Sequence, residues 1–142
     1  MEDIKYLVLN DINQEIRNLR KEVFVIEQNV PPHLEWEDDE SIYKHCCLYL
    51  NNKLIAYARV DINKEIAHIG RVVVAKEYRK QGYGKKIMQY SEEIIKKGNK
   101  SSVEIHAQLH ASEFYKSIGY IPYDKEFMEA GIRHIKMKKI LK

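Results

Sequence analysis

The run Ala67–Tyr90, AHIGRVVVAKEYRKQGYGKKIMQY, limits what this chain can fold into more than any other stretch, because it joins the clearest strand to the clearest anion-binding helix start. Ile69–Val74 is short, apolar and rich in β-branched residues, which reads as a buried central strand. A polar connection follows, Ala75–Gln81, carrying Lys76, Arg79 and Lys80. From Gly82 onward Ile87, Met88, Ile94 and Ile95 recur on one helical face. The first turn of a helix leaves N–H groups unpaired at the positive end of the dipole, so a phosphate or pyrophosphate can sit there. Gly82 and Gly84 are expected to take φ > 0 and admit the anion, with Arg79, Lys80, Lys85 and Lys86 adding charge.

Two common phosphate motifs are excluded. No Gly-x-x-x-x-Gly-Lys-Ser/Thr run exists, and Ile87 stands where a dinucleotide fingerprint needs its third glycine. A length of 142 residues fits one domain, 1–142, and 44% hydrophobic with 32% charged residues argues against disorder. The net charge of +3 is dispersed along the chain without an aromatic platform, so no nucleic-acid partner is expected. No signal peptide or long apolar run is present, and adjacent Cys46 and Cys47 point to opposite faces of a strand and cannot readily bridge; a reduced cytoplasmic protein without membrane contact is expected.

In chain order, Ile4–Leu9 reads as a strand, and Asp11 is the expected cap of a helix that buries Ile16, Leu19 and Val23 with Arg17, Arg20 and Lys21 outside. Val30-Pro31-Pro32 stops it. The acidic run Glu35–Glu40, interrupted by Trp36, is either a solvated connector or an electronegative lip for a cationic amine. Three antiparallel strands follow, 44–50, 54–61 and 67–74, the first two joined by an Asn51-Asn52-Lys53 turn. After the Gly84 helix, Val103–Ala107 is reached by a helical crossover and should lie parallel to the central strand. A short helix, Ala111–Ile118, ends at Gly119, and two further strands begin at Tyr120 and Ile132.

Arg79-x-x-Gly82-x-Gly84 after a strand resembles the coenzyme A pyrophosphate loop of the GNAT superfamily of acyl-CoA-dependent N-acetyltransferases. A second, linked match strengthens it: Gln108, Ala111, Phe114, Tyr115 and Gly119-Tyr120 resemble that family's N/Q-x-x-A-x-x-F-Y-x-x-x-G-F/Y signature, with Gln108 where asparagine is frequent. Val23-Phe24-Val25, Glu27-Gln28, Val30-Pro31 and Glu129–His134 look like the ElaA-like subgroup, so the resemblance spans nearly the whole chain.

The resemblance implies one α/β (α+β) domain: a mixed, mostly antiparallel sheet with a parallel pair splayed at its centre, flanked by helices. It implies acetyl-CoA as cofactor, held by Val72, Val73, Val74, Arg79, Lys80, Gln81, Gly82, Tyr83, Gly84, Lys85, Gln108, Ser112 and Tyr115. The implied chemistry is direct attack of a primary amine on the thioester, with amides around Val72–Val74 on the oxyanion and Tyr115 as general acid. Glu104 and His106 share one strand face and are candidate catalytic bases; His110, Glu27, Glu35 and His134 are further possible bases. Glu27, Glu35, Trp36 and His134 are expected to border a small amine substrate: a polyamine, amino sugar, aminoglycoside, or the amino group of a peptide or protein. No metal is expected, since His106 and His110 lack supporting ligands. A non-catalytic acyl-CoA-binding regulatory module is the alternative function, and a homodimer through an edge strand is possible.

Overall fold

The computed structural model describes residues 2–36 and 39–141. Seven strands form a single sheet: β1 (Ile4–Leu9), β2 (Lys44–Leu50), β3 (Lys53–Asp61), β4 (Ala67–Val74), β5 (Ser102–Gln108), β6 (Ile121–Glu129) and β7 (Ile132–Ile140), in the order β1-β2-β3-β4-β5-β7-β6. Only β4 and β5 run parallel; the other neighbours are antiparallel. The expected mixed sheet with one parallel pair at its centre is therefore what forms. The β2–β3 turn uses Asn51 and Asn52, both at positive φ (50° and 68°), the conformation that tight hairpins demand and asparagine tolerates.

Two apolar layers cover the sheet. On one face α3 (Tyr83–Lys97) sets Ile87, Met88 and Ile95 against Cys46, Ile55, Ile69, Val103 and Ile105. On the other, α1 (Gln14–Arg20) and a π-helical continuation, Lys21–Glu27, bring Ile16, Leu19, Val23 and Phe24 onto Cys47, Tyr57 and Val73. Adjacent Cys46 and Cys47 are thus buried in opposite layers, and burial pushes both thiols up to about 12, so neither is a nucleophile. Among the described residues no helix is long and apolar enough to cross a membrane.

Two local expectations are corrected at α1. Asn13, not Asp11, caps the helix, its side chain accepting from the Ile16 N–H at 2.9 Å. Arg20, expected outside, is fully buried. Its Nε lies 2.5 Å from Glu35 Oε1 and its Nη1 3.1 Å from Glu40 Oε1, while Arg71 Nε reaches Glu35 Oε2 at 3.1 Å and Arg59 Nη1 reaches Glu40 at 3.3 Å. Neither reading of the acidic run describes these two carboxylates, because both turn inward onto arginines; Glu37 and Asp38 lie outside the described residues. Burial raises the Glu35 carboxyl above its ordinary value, with Arg20 and Arg71 opposing that shift.

Removing one member of such a network strands the others without a counter-charge. Arg20→Ala is expected to lower the unfolding free energy by about 3 kcal/mol, read from the urea midpoint at unchanged slope. A variant as stable as the parent would show that the network contributes nothing to holding the fold.

Candidate active site

Pairing of β4 with β5 covers only Ala67–Val103, His68–Glu104 and Ile69–Ile105; beyond that point the strands part. The cause lies on the other side of β4. Between Tyr57–Val73 and Arg59–Gly70, one residue of β3 opposes two of β4, a bulge, and Arg71 sits within it at φ 52°. The bulge bends β4 and flips its alternation, so Val73 packs in the layer opposite Ile69. A cleft of about 1030 Å³ opens between the strands, lined also by the π-helical segment and the β6–β7 turn. Past Ile69, the β5-facing edge of β4 has no ladder partner among the described residues.

α3 begins beside Val74 of the cleft lining, where a Cβ on Gly84 would lie 3.8 Å from the Val74 side chain; Lys80–Lys86 themselves lie outside the lining. Gly82 caps the helix at φ 90°, no side chain among the described residues caps its first N–H groups, and its first turn carries no acidic residue. The space that a Cβ on Gly82 would enter is open, while Lys80, Gln81, Lys85 and Lys86 are exposed around it. Gly84 corrects the sequence reading: it lies within the helix, outside the left-handed region, and matters because a Cβ there would meet the Phe114 ring at 3.2 Å. Tyr83 is buried with its ring edge-on to Tyr78. Arg79 is already engaged, bidentate to Glu27 at 2.6 and 2.8 Å and donating from Nε to the Val74 carbonyl at 3.0 Å. That pair holds the Glu27 carboxyl below its ordinary range.

Across the cleft α4 (Ser112–Ser117) presents Tyr115, whose ring meets Phe114 and Tyr120 at centroid distances of 5.1 and 6.0 Å. Tyr115 lines the cleft, and no hydrogen bond among the described residues engages its hydroxyl. Burial pushes this phenol up to about 12, so it holds its proton at neutral pH. Gln108 and Gln28 exchange amide hydrogen bonds of 2.8 and 3.2 Å, which ties the end of β5 to the π-helical segment. Ser112 opens α4 and is half-buried outside the cleft lining.

The opposite half of the cleft is lined by imidazoles and carboxylates. His106 lies between Glu129 (Nδ1 to Oε1, 3.1 Å) and Glu104 (Nε2 to Oε1, 3.4 Å), and Tyr123 O–H donates to Glu104 Oε2. The hydrogen bond to Glu129 comes first among the causes that raise the His106 pKa. Glu104 is lowered: desolvation opposes the shift, but the Tyr123 hydrogen bond and the histidine charges outweigh it. His68 crosses His106 at a centroid distance of 4.8 Å, and desolvation pushes it down to about 4.

His134 is buried; its Nδ1 donates to the Ile132 carbonyl at 2.7 Å and its Nε2 lies 3.7 Å from Glu129. Glu35 lines the cleft but is spent on its arginines, and Trp36 lies over the Arg20 guanidinium at 4.8 Å, outside the cleft lining. His110 is exposed at the rim. His68 and Arg71 were missed from sequence. The sequence does carry a signal for His68: it alternates with Ala67 and Ile69, which places it on the opposite face of the sheet from them.

The chain matches the family described as Acetyltransferase (GNAT) domain over residues 8–141. Bacillus subtilis YjcF, an uncharacterized N-acetyltransferase, is 36% identical over 122 residues, covering 85% of this chain and 87% of that protein. The crystal structure of Escherichia coli ElaA superposes with a TM-score of 0.81 at 31% identity, covering 98% of this chain and 99% of that one. A GNAT family acetyltransferase from Elizabethkingia anophelis with acetyl-CoA bound shares the fold at a TM-score of 0.72 and 14% identity, covering 97% and 98% of the two chains.

The contact between Gly84 and Phe114 yields a direct test of how tightly the two helices flanking the cleft are packed. Gly84→Val is expected to cost about 1–3 kcal/mol, seen as a melting temperature several degrees lower in calorimetry. Phe114→Leu in the same chain should recover part of the loss; no loss in Gly84→Val alone would mean that the helices are not in contact.

Proposed function

Because the chain belongs to the GNAT acetyltransferase family and is thus an N-acetyltransferase, we propose that it transfers the acetyl group of acetyl-CoA to a primary amine by direct attack in a ternary complex. The observation that carries this reading is the parting of β4 from β5 between an uncapped helix start and a free tyrosine hydroxyl. Acetyl-CoA supplies an activated thioester carbonyl. The N–H groups opening α3, with Lys80 and Lys85 beside them, bind its pyrophosphate. Those amides of Val72–Val74 that face the open, β5-side edge of β4 bind the thioester oxygen and stabilise the charge that develops there.

The amine nitrogen forms the new bond to the carbonyl carbon as the carbon–sulfur bond breaks. Tyr115 O–H gives its proton to the departing sulfur and is reprotonated from solvent. The proton lost by the amine passes through water to His106 Nε2, where Glu104 and Glu129 stabilise the imidazolium. The same carboxylates favour an acceptor that arrives as a cation, so a small cationic amine is the substrate class. Glu27, tied to Arg79, and Glu35, tied to Arg20 and Arg71, border the site and position it.

Thiol release from acetyl-CoA with a panel of polyamines, amino sugars, aminoglycosides and peptides tests this directly. Tyr115→Phe is expected to lower kcat by about 100-fold or more while the calorimetric Kd for acetyl-CoA stays nearly constant. Undiminished turnover in that variant would remove Tyr115 from the chemistry, and a wild-type protein that binds no acetyl-CoA at millimolar ligand would end the proposal.

A further inference from the structure

The imidazole–carboxylate half of the cleft fits a second kind of ligand. His68 on β4 stands opposite Glu104 in the parallel register, and His106 follows two residues along the same face of β5. One donor atom from each lies within 4.8 Å of the others. His106 Nε2 and Glu104 Oε1 are 3.4 Å apart, close to the edge of a tetrahedron whose corners lie about 2.0–2.2 Å from a zinc-sized ion. The pairing of His106 with His110 in sequence offered no metal; the neighbouring strand supplies the third donor.

The bonds behind these donors distinguish a site from mere proximity. Glu129 holds His106 Nδ1 at 3.1 Å, which fixes the ring and turns Nε2 toward Glu104. Tyr123 O–H engages Glu104 Oε2, which leaves Oε1 for a ligand. A carboxylate behind a histidine and a hydrogen bond behind a carboxylate are the contacts by which proteins orient metal ligands. No hydrogen bond among the described residues engages a His68 ring nitrogen, and all three residues line the open cleft. Two imidazoles with one carboxylate suit zinc, cobalt or nickel over magnesium or calcium, which prefer oxygen ligands alone. The buried thiols of Cys46 and Cys47 lie in the core layers and offer no competing site.

We propose that His68, Glu104 and His106 bind one divalent transition-metal ion of the zinc class, with water in the fourth position, and that the bound ion blocks acetyl transfer by taking the place of the incoming amine. The blocking half rests on the reading of this face as the acceptor pocket; the metal site itself does not.

The test is a titration of metal-free, full-length protein with Co²⁺ followed by visible absorption, and with Zn²⁺ followed by calorimetry. One equivalent is expected, with the visible band of four-coordinate cobalt. His68→Gln and His106→Gln should each weaken binding at least about tenfold, and Glu129→Gln, acting only through His106, by about tenfold. His33→Gln, exposed and outside the cleft lining, should change nothing. A cooperative thermal unfolding transition by circular dichroism on every variant establishes that it is folded. No cobalt band in the parent protein, or unchanged affinity in a folded His68→Gln/His106→Gln double variant, overturns the site. Stoichiometric Zn²⁺ that leaves thiol release undiminished overturns the blocking role. A metal-free protein that binds metal but never acetylates counts against the transferase reading and leaves the metal site standing.

Discussion

The separation of two parallel strands after only three residue pairs is the constraint on which the rest of the structure depends. Strand edges inside a protein normally pair, because unpaired backbone groups are costly to bury. Here the edge is left open beside a bulge at Arg71, the opening is lined by Tyr115 and Val74, and the uncapped start of α3 adjoins Val74. In the proposed function, a ligand with a long anionic end and a thioester at its tip satisfies both the helix start and the open edge at once. Fold and chemistry thus share one cause.

Arg71 is held in a backbone conformation that a residue with a Cβ occupies at a cost of about 1–2 kcal/mol. Its side chain explains how that is sustained: Nε meets Glu35 Oε2 at 3.1 Å and Nη2 reaches the Leu34 and Glu35 carbonyls at 3.3 and 3.2 Å. Glu35 in turn is fixed by buried Arg20 from α1. The links from Arg20 of α1 through Glu35 to Arg71 therefore brace the bulge beside the cleft. The π-helical turn that follows α1 adds to this by aiming Glu27 at Arg79 and Gln28 at Gln108.

Much of this was legible in the sequence. The β-branched strand, the Gly82 helix start, the Asn-Asn hairpin and the tyrosine helix each follow from local rules, and the parallel β4–β5 pair follows from the helical crossover between them. What failed were side-chain destinations. Arg20, Glu35 and Glu40 look like surface residues by type, and only tertiary pairing reveals them as a buried network. Gly84 reads as a φ > 0 glycine because it neighbours Gly82, yet it answers to the Phe114 ring, a contact set by the meeting of two distant helices. His68 was hidden because the strand carrying it was read for its apolar positions alone.

The central claim is that the open edge of β4 and the start of α3 together grip an acyl-coenzyme A. Backbone amide NMR during titration with coenzyme A tests it most directly. The largest shifts are expected at Tyr83, Gly84 and Lys85 and at Val72–Val74, with β1 and the β6 edge undisturbed. Saturating ligand that moves none of those amides, or moves only the outer strands, would contradict it.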